Sequence, residues 1–117
     1  MEKNELGLWG EQKAVGYLKA AGYTIVAQNF RCRAGEIDII AAGDALLCFI
    51  EVKTRTSLAF GLPCQAVGRK KQDRIRRVAL AFLQRNPVYE AYALRMDVIE
   101  LLCLPRGPYI RHVTGAF

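Results

Sequence analysis

A chain of 117 residues, 52% hydrophobic and 24% charged, is sized for one globular domain around one core, taken here as residues 1–117. No apolar run is longer than that from Ala45 to Ile50, which falls far short of the ~18 residues that cross a bilayer, so no transmembrane segment is expected. Seventeen Lys and Arg against eleven Asp and Glu leave a net charge of +6, which favours a polyanion over a membrane as partner because no amphipathic membrane segment accompanies it.

The opening Met1-Glu2-Lys3-Asn4-Glu5 lacks the layout of a secretory signal, and a cytoplasmic location is expected. Apolar positions Leu8, Ala14, Val15, Leu18 and Ala21 recur at helical spacing and predict a helix over 4–21, stopped at Gly22. β-Branched and aromatic residues predict a strand over 23–30. Two more strands, 35–41 and 46–53, form a hairpin about a short turn at Gly43-Asp44. A loop with Gly61 and Pro63 leads to a helix over 66–85 that carries Ile75, Val78, Ala79 and Phe82 on one face and ends at Asn86-Pro87. A fourth strand over 94–102 and a short fifth after Pro108 complete an α/β order of α-β-β-β-α-β-β. Cys32, Cys48, Cys64 and Cys103 form no Cys-x-x-Cys pair and read as free structural thiols rather than zinc ligands.

The hairpin carries the chemistry. Residues two apart on a strand share a face, so Glu36 lies with Asp38, and Glu51 with Lys53. A turn centred on Gly43-Asp44 sets Asp38 opposite Phe49 and Glu36 opposite Glu51, which gathers all four charged groups on one face. Like charges across a strand pair repel, and a divalent cation such as Mg²⁺ or Mn²⁺, with its hard oxygen ligands, is a natural compensation. The plainer reading is a salt-bridged patch at a sheet edge. Three carboxylates and a lysine converging between Ile37, Ile39, Ile40, Ile50 and Val52 favour the ion site.

Glu11 falls on the apolar stripe of the first helix, where a carboxylate needs a partner, either the site or a lysine at the stripe's edge. In the second helix, Lys70, Arg74 and Arg77 follow i, i+4, i+7 spacing with Lys71 beside them, and Arg55 flanks the acidic cluster. These five could track a phosphate backbone without reading sequence. Arg95 and Asp97 share a strand face and read as an internal ion pair; Gln65 reads as a loop residue, His112 as structural or exposed, and Trp9, Tyr17 and Phe82 as core.

Gly35-Glu36-Ile37-Asp38-Ile39-Ile40 followed by Phe49-Ile50-Glu51-Val52-Lys53 resembles the PD-(D/E)xK nuclease motif, with Ile37 at a position where proline can precede the Asp. Over nearly its whole length the chain resembles the YraN family of small bacterial endonuclease-like proteins: Gly10-Glu11, Asn29-Phe30-Arg31, the hairpin, Phe60-Gly61, Lys71 and Arg95-Met96-Asp97-Val98 all match. The resemblance implies a restriction-endonuclease-like three-layer core, a mixed sheet of four to five strands flanked by helices. It also implies a Mg²⁺- or Mn²⁺-dependent nuclease acting on nucleic acid, with DNA, including branched DNA, the favoured substrate. Asp38 and Glu51 would hold the metal with Glu11 joining from the helix, while Lys53 and Glu36 complete the catalytic set. Resolvases of this fold act as dimers, so a homodimer is implied as well. The competing readings are a non-catalytic nucleic-acid-binding adaptor that keeps the fold, and a structural partner subunit.

Overall fold

The computed structural model describes residues 2–56 and 67–117, with Lys3 described by its backbone alone. Phe60, Gly61, Pro63, Cys64, Gln65 and Ala66 lie outside the described residues.

Helix α1 (Lys3–Ala20) leads through Gly22, whose φ of 96° closes the turn, into β1 (Thr24–Cys32), β2 (Gly35–Gly43) and β3 (Leu46–Arg55). Helix α2 (Arg69–Arg85) then crosses to β4 (Ala93–Leu104), which turns into β5 (Gly107–Val113). Asn86 ends α2, and Pro87 opens a single 3-10 turn over Pro87–Tyr89, because proline cannot continue the helical hydrogen-bond ladder. The five strands lie in the order β1-β2-β3-β4-β5; β3 and β4 run parallel and the other neighbours antiparallel. The α2 crossover is what permits that parallel pair. The expected α/β order is therefore present, with the fifth strand longer than anticipated.

The sheet is covered on both faces. Leu47 and Phe49 of β3 join Ile40, Val98, Ile75, Val78, Ala79 and Phe82 beneath α2, whereas the alternate residues Cys48 and Ile50 join Ile39, Ala41, Ile99, Leu101, Ala14 and Leu18 beneath α1. A central strand buried on both faces has to read as a continuous apolar run, which explains Leu46 to Ile50. The result is three layers, helix, sheet and helix.

Gly10 sets how closely α1 lies on that sheet. A Cβ there would collide with Thr54 Oγ1 and would also stand 3.1 Å from Thr54 Cβ and 3.3 Å from its Cγ2, so rotating the threonine exchanges one clash for another. Gly10→Ala is expected to lower stability by about 1–3 kcal/mol through overpacking, although alanine is the better helix former. A thermal melt of the variant checks this; a stabilised variant would mean that α1 is free to lift.

The hairpin register corrects the expected one. Gly43 pairs with Leu46 and Ile39 with Ile50, so Phe49 faces Ile40 rather than Asp38. The turn is Asp44-Ala45, not Gly43-Asp44, and Ala45 takes the left-handed φ of 53°. Continued one step past the end of the ladder at Ile39 and Ile50, this register sets Glu51, not Phe49, against Asp38. The slip is even, so it does not by itself turn a side chain to the other face; the alternation of β2 is broken separately, between Ile37 and Ile40.

Candidate active site

The β2–β3 ladder runs as far as Ile39 and Ile50, and there Asp38 replaces it: the Val52 amide donates to Asp38 Oδ2 at 2.7 Å. Strand β2 is irregular here, since Ile37 and Ile40 both enter the core beneath α2 instead of alternating. Asp38 thus sits where strand pairing ends and two clefts meet. One, of about 360 Å³, is lined by Leu6, Gly7, Glu11, Asp38, Val52 and Thr54 on the α1 side. The other, of about 260 Å³, adds Glu36, Glu51, Lys71 and Arg74 on the α2 side.

Burial is the first cause that pushes the Asp38 carboxyl up to about 7, and the neighbouring Glu51 charge is the second; the Val52 amide opposes both, while Glu11 and Glu36 add to them. Burial likewise raises Glu11 above the usual carboxylate range, against a hydrogen bond from Asn29 and with the Glu36 charge adding to it. Carboxylates from α1, β2 and β3 therefore converge on Asp38 with too little positive charge to neutralise it.

Glu51 is the carboxylate that is compensated. Lys71 of α2 lies 2.6 Å from its Oε1 and Lys53 of β3 lies 3.4 Å from the same oxygen. Burial, together with the Lys71 ammonium, lowers the Lys53 pKa despite the nearby Glu51. Burial works against charge on Lys71 too, but contact with Glu51 outweighs it and the Lys71 pKa rises.

The structure thus brings together Glu11, Glu36, Asp38, Glu51 and Lys53, as the sequence leads one to expect, and adds Lys71, which turns out of the basic stripe into the site. Lys70, Arg74 and Arg77 are exposed on α2, with Arg74 bordering the cleft. Arg55 stands apart from that stripe: its Nε lies 2.8 Å from Glu100 Oε2, with 14% of the arginine side chain exposed and 1% of the glutamate. Glu36 also pairs outward, accepting from Arg31 Nε at 3.0 Å.

Two features have partners that no spacing in the sequence assigns. Asn29 of β1 takes a left-handed φ of 52°, and its side-chain nitrogen reaches Glu11 Oε1 at 2.9 Å and Glu36 Oε1 at 3.1 Å; its oxygen in that place would face acceptors only. The signs in the sequence are its place in the Asn29-Phe30-Arg31 match and an asparagine interrupting a strand, since asparagine tolerates that backbone. The second is His112, whose Nε2 lies 2.8 Å from Asp97 Oδ2 and whose Nδ1 lies 3.0 Å from the Tyr17 hydroxyl. Asp97 also accepts both Nε and Nη2 of Arg95 at 2.8 Å, which realises the expected internal ion pair.

Among the described residues, no three Asp, Glu, His or Cys side chains close into a group that would hold an ion unaided. Mg²⁺ is commonly held by one or two carboxylates, with water and substrate phosphate filling its other positions. Asp38 and Glu51, two hard oxygen donors facing one cleft with the first strongly destabilised as an anion, fit that chemistry.

The fold and site define an α/β domain in which an acidic hairpin opens beside a basic helix. Residues 10–101 match the model of the Uncharacterised protein family UPF0102, and the chain belongs to that family. It is 48% identical over 114 residues to a UPF0102 protein of Alkaliphilus oremlandii, an alignment that covers 97% of each chain. It is also 45% identical to a UPF0102 protein of Geobacter sulfurreducens, covering 96% of this chain and 88% of that one, and 44% identical to one of Nocardia farcinica, covering 99% and 91%. No helix among the described residues is long and apolar enough to cross a membrane.

Proposed function

We propose that this protein is a metal-dependent nuclease of the restriction-endonuclease-like PD-(D/E)xK kind, hydrolysing phosphodiester bonds in nucleic acid, with DNA, linear or branched, its substrate. The observation that carries the reading is Asp38: a carboxyl pushed up to about 7 by burial and by Glu51, fixed by a backbone amide at the end of a strand pair, next to a glutamate that two lysines hold. A fold selected for stability alone gains nothing from that arrangement, and perturbed groups of this sort gather in functional clefts.

Asp38 and Glu51 would hold Mg²⁺ or Mn²⁺, with Glu11 bordering the same carboxyl from α1. The ion would supply Lewis-acid stabilisation of a phosphoryl oxygen and a lowered pKa for its water. The protein's own groups do the rest. Arg74 at the cleft and Lys70 and Arg77 along α2 attract the phosphate backbone, which is sequence-independent recognition. Lys53, a lysine whose charge is disfavoured by burial, is suited to exchange its contact with Glu51 for one with an attacking water or a phosphate oxygen carrying new negative charge. Lys71 counterbalances Glu51 until a cation and a phosphate share the site.

The test offers linear, single-stranded, flapped and four-way-junction DNA to the purified protein with Mg²⁺, with Mn²⁺ and with chelator. Cleavage should require the metal and fall by on the order of 10³-fold in Asp38→Ala and Glu51→Ala variants that remain folded by circular dichroism. Replacing Lys70 and Arg74 by Gln should weaken DNA binding and flatten its salt dependence. Salt-dependent binding with no cutting under any metal would replace the nuclease by a non-catalytic nucleic-acid-binding adaptor.

A further inference from the structure

Resting on that reading of the site, we infer that Asn29 is a positioning residue for the cation: its amide fixes Glu11 and Glu36 around Asp38 without neutralising them. Asn29 stands on β1 between Gln28, paired with Ile39, and Phe30, paired with Ile37, which puts it level with Asp38 on the neighbouring strand. One amide nitrogen serves both glutamates, at 2.9 Å and 3.1 Å, and so ties α1 to the β1–β2 pair. The choice of side chain is informative. A lysine at this place would also satisfy two carboxylates, but its charge would cancel the negative potential that a divalent ion needs. A neutral amide holds their geometry and leaves the field intact.

The backbone supports the same conclusion. Asn29 and Ala45 are the two non-glycine residues with positive φ among those described, and Ala45 serves a hairpin turn. Asn29 lies inside a strand, where a left-handed residue breaks the regular extended geometry at a cost on the order of 1 kcal/mol. No turn requires it there. What it accompanies is the amide that meets Glu11 and Glu36, opposite the place where β2 loses its alternation and Asp38 takes the Val52 amide.

Two variants separate the amide from the backbone. Asn29→Gly accepts φ near 52° without strain and deletes the amide; Asn29→Asp keeps the shape, removes the donor and adds a negative charge. Mn²⁺ affinity, measured by calorimetry and by the electron paramagnetic resonance of free Mn²⁺, reads the cation site directly without any nucleic acid. Asn29→Gly should melt within a few degrees of the unmutated protein yet bind Mn²⁺ about 10–100-fold more weakly, the usual effect of losing a group that orients ligands. Asn29→Asp should also bind more weakly. If Asn29 acted only through the local field, the added charge would tighten Mn²⁺ binding instead, and that result overturns the inference. In the unmutated protein the Asn29 side-chain amide resonance should shift on adding Mg²⁺, which a merely structural role would not require. Equal Mn²⁺ affinity in Asn29→Gly and the unmutated protein overturns the inference alone. Failure of the unmutated protein to take up Mn²⁺ at all overturns the functional reading and this inference with it.

Discussion

At pH 8 and without metal, Asp38→Asn is expected to melt higher than the unmutated protein, and with Mg²⁺ it is expected not to cut. The Asp38 carboxyl stands at about 7 in the folded protein against an ordinary 3.8, so the folded chain holds this proton more tightly than the unfolded chain does. Stability from this group is therefore greatest below the unfolded value, falls as pH rises between the two, and stays low above about 7. The full separation would correspond to roughly 4 kcal/mol, and solvent screening of a partly exposed carboxyl reduces that to roughly 1–2 kcal/mol. Asparagine keeps an oxygen able to accept the Val52 amide and sheds the charge repelled by Glu51. A rise in melting temperature of roughly 5 °C at pH 8 follows, shrinking towards zero as the pH is lowered to about 4. Mg²⁺ or Mn²⁺ should stabilise the unmutated protein by mass action and leave the variant unmoved. Gain of stability with loss of function in one substitution is the mark of a site held against its own electrostatics. A variant that melts lower at pH 8 would instead make Asp38 a structural residue.

Asp97→Ala should have the larger effect on stability. The Asp97 side chain is fully buried and accepts from Arg95 twice, from the Gly115 amide at 3.0 Å, and lies 2.8 Å from His112 Nε2. Arg95 Nη2 also donates to the Tyr23 hydroxyl at 2.7 Å, and His112 contacts Tyr17, so one carboxylate links β4 and β5 to α1, to the turn before β1 and to the C-terminal segment. Burial alone would raise the Asp97 pKa, but His112, Arg95 and the Gly115 amide outweigh it and hold the carboxyl below the usual range. That stabilisation is present above the unfolded carboxylate pKa and is lost as the pH falls through the lower folded value. Removing one partner of a buried charged network leaves the others desolvated and unpaired, at about 3–5 kcal/mol. Thermal unfolding should move down by roughly 10–20 °C. A shift of only a degree or two would show that the network is dispensable.

How much of the fold and site is legible in the sequence depends on the range of the interaction. Strand parity depends on neighbours two residues apart, and it places Glu36 with Asp38 and Glu51 with Lys53 from the spacing alone. The register across the hairpin depends on which residue adopts the left-handed turn conformation. Gly43-Asp44 carries the strongest turn chemistry, yet Ala45 takes that conformation, and its carbonyl accepts the Ala93 amide of β4 at 2.9 Å, a partner that lies far along the chain. The start of α2 is set locally and differs little from the spacing's indication: Gly68 caps a helix that begins at Arg69 rather than three residues earlier. Side-chain direction on α2 is not local. Lys70, Lys71 and Arg74 look alike in a charge pattern, and only the packing of α2 over β2 and β3 decides that Lys71 meets Glu51. Arg55 is the converse, a basic residue at the site's edge drawn to buried Glu100 on the parallel neighbour strand, where Lys53 is the residue level with Glu100. Asn29 depends on α1, β1 and β2 together, and no spacing rule joins the three.

Crystals of the protein with a short DNA duplex and Mn²⁺ would show whether Asp38 and Glu51 hold the cation against a phosphate, through anomalous scattering recorded near the manganese edge. One strong peak is expected in contact with carboxylate oxygens of Asp38 and Glu51 and with a phosphate oxygen of the DNA, absent from Asp38→Ala crystals grown alike. DNA lying along α2 with no manganese at Asp38, or manganese bound only elsewhere, would contradict it.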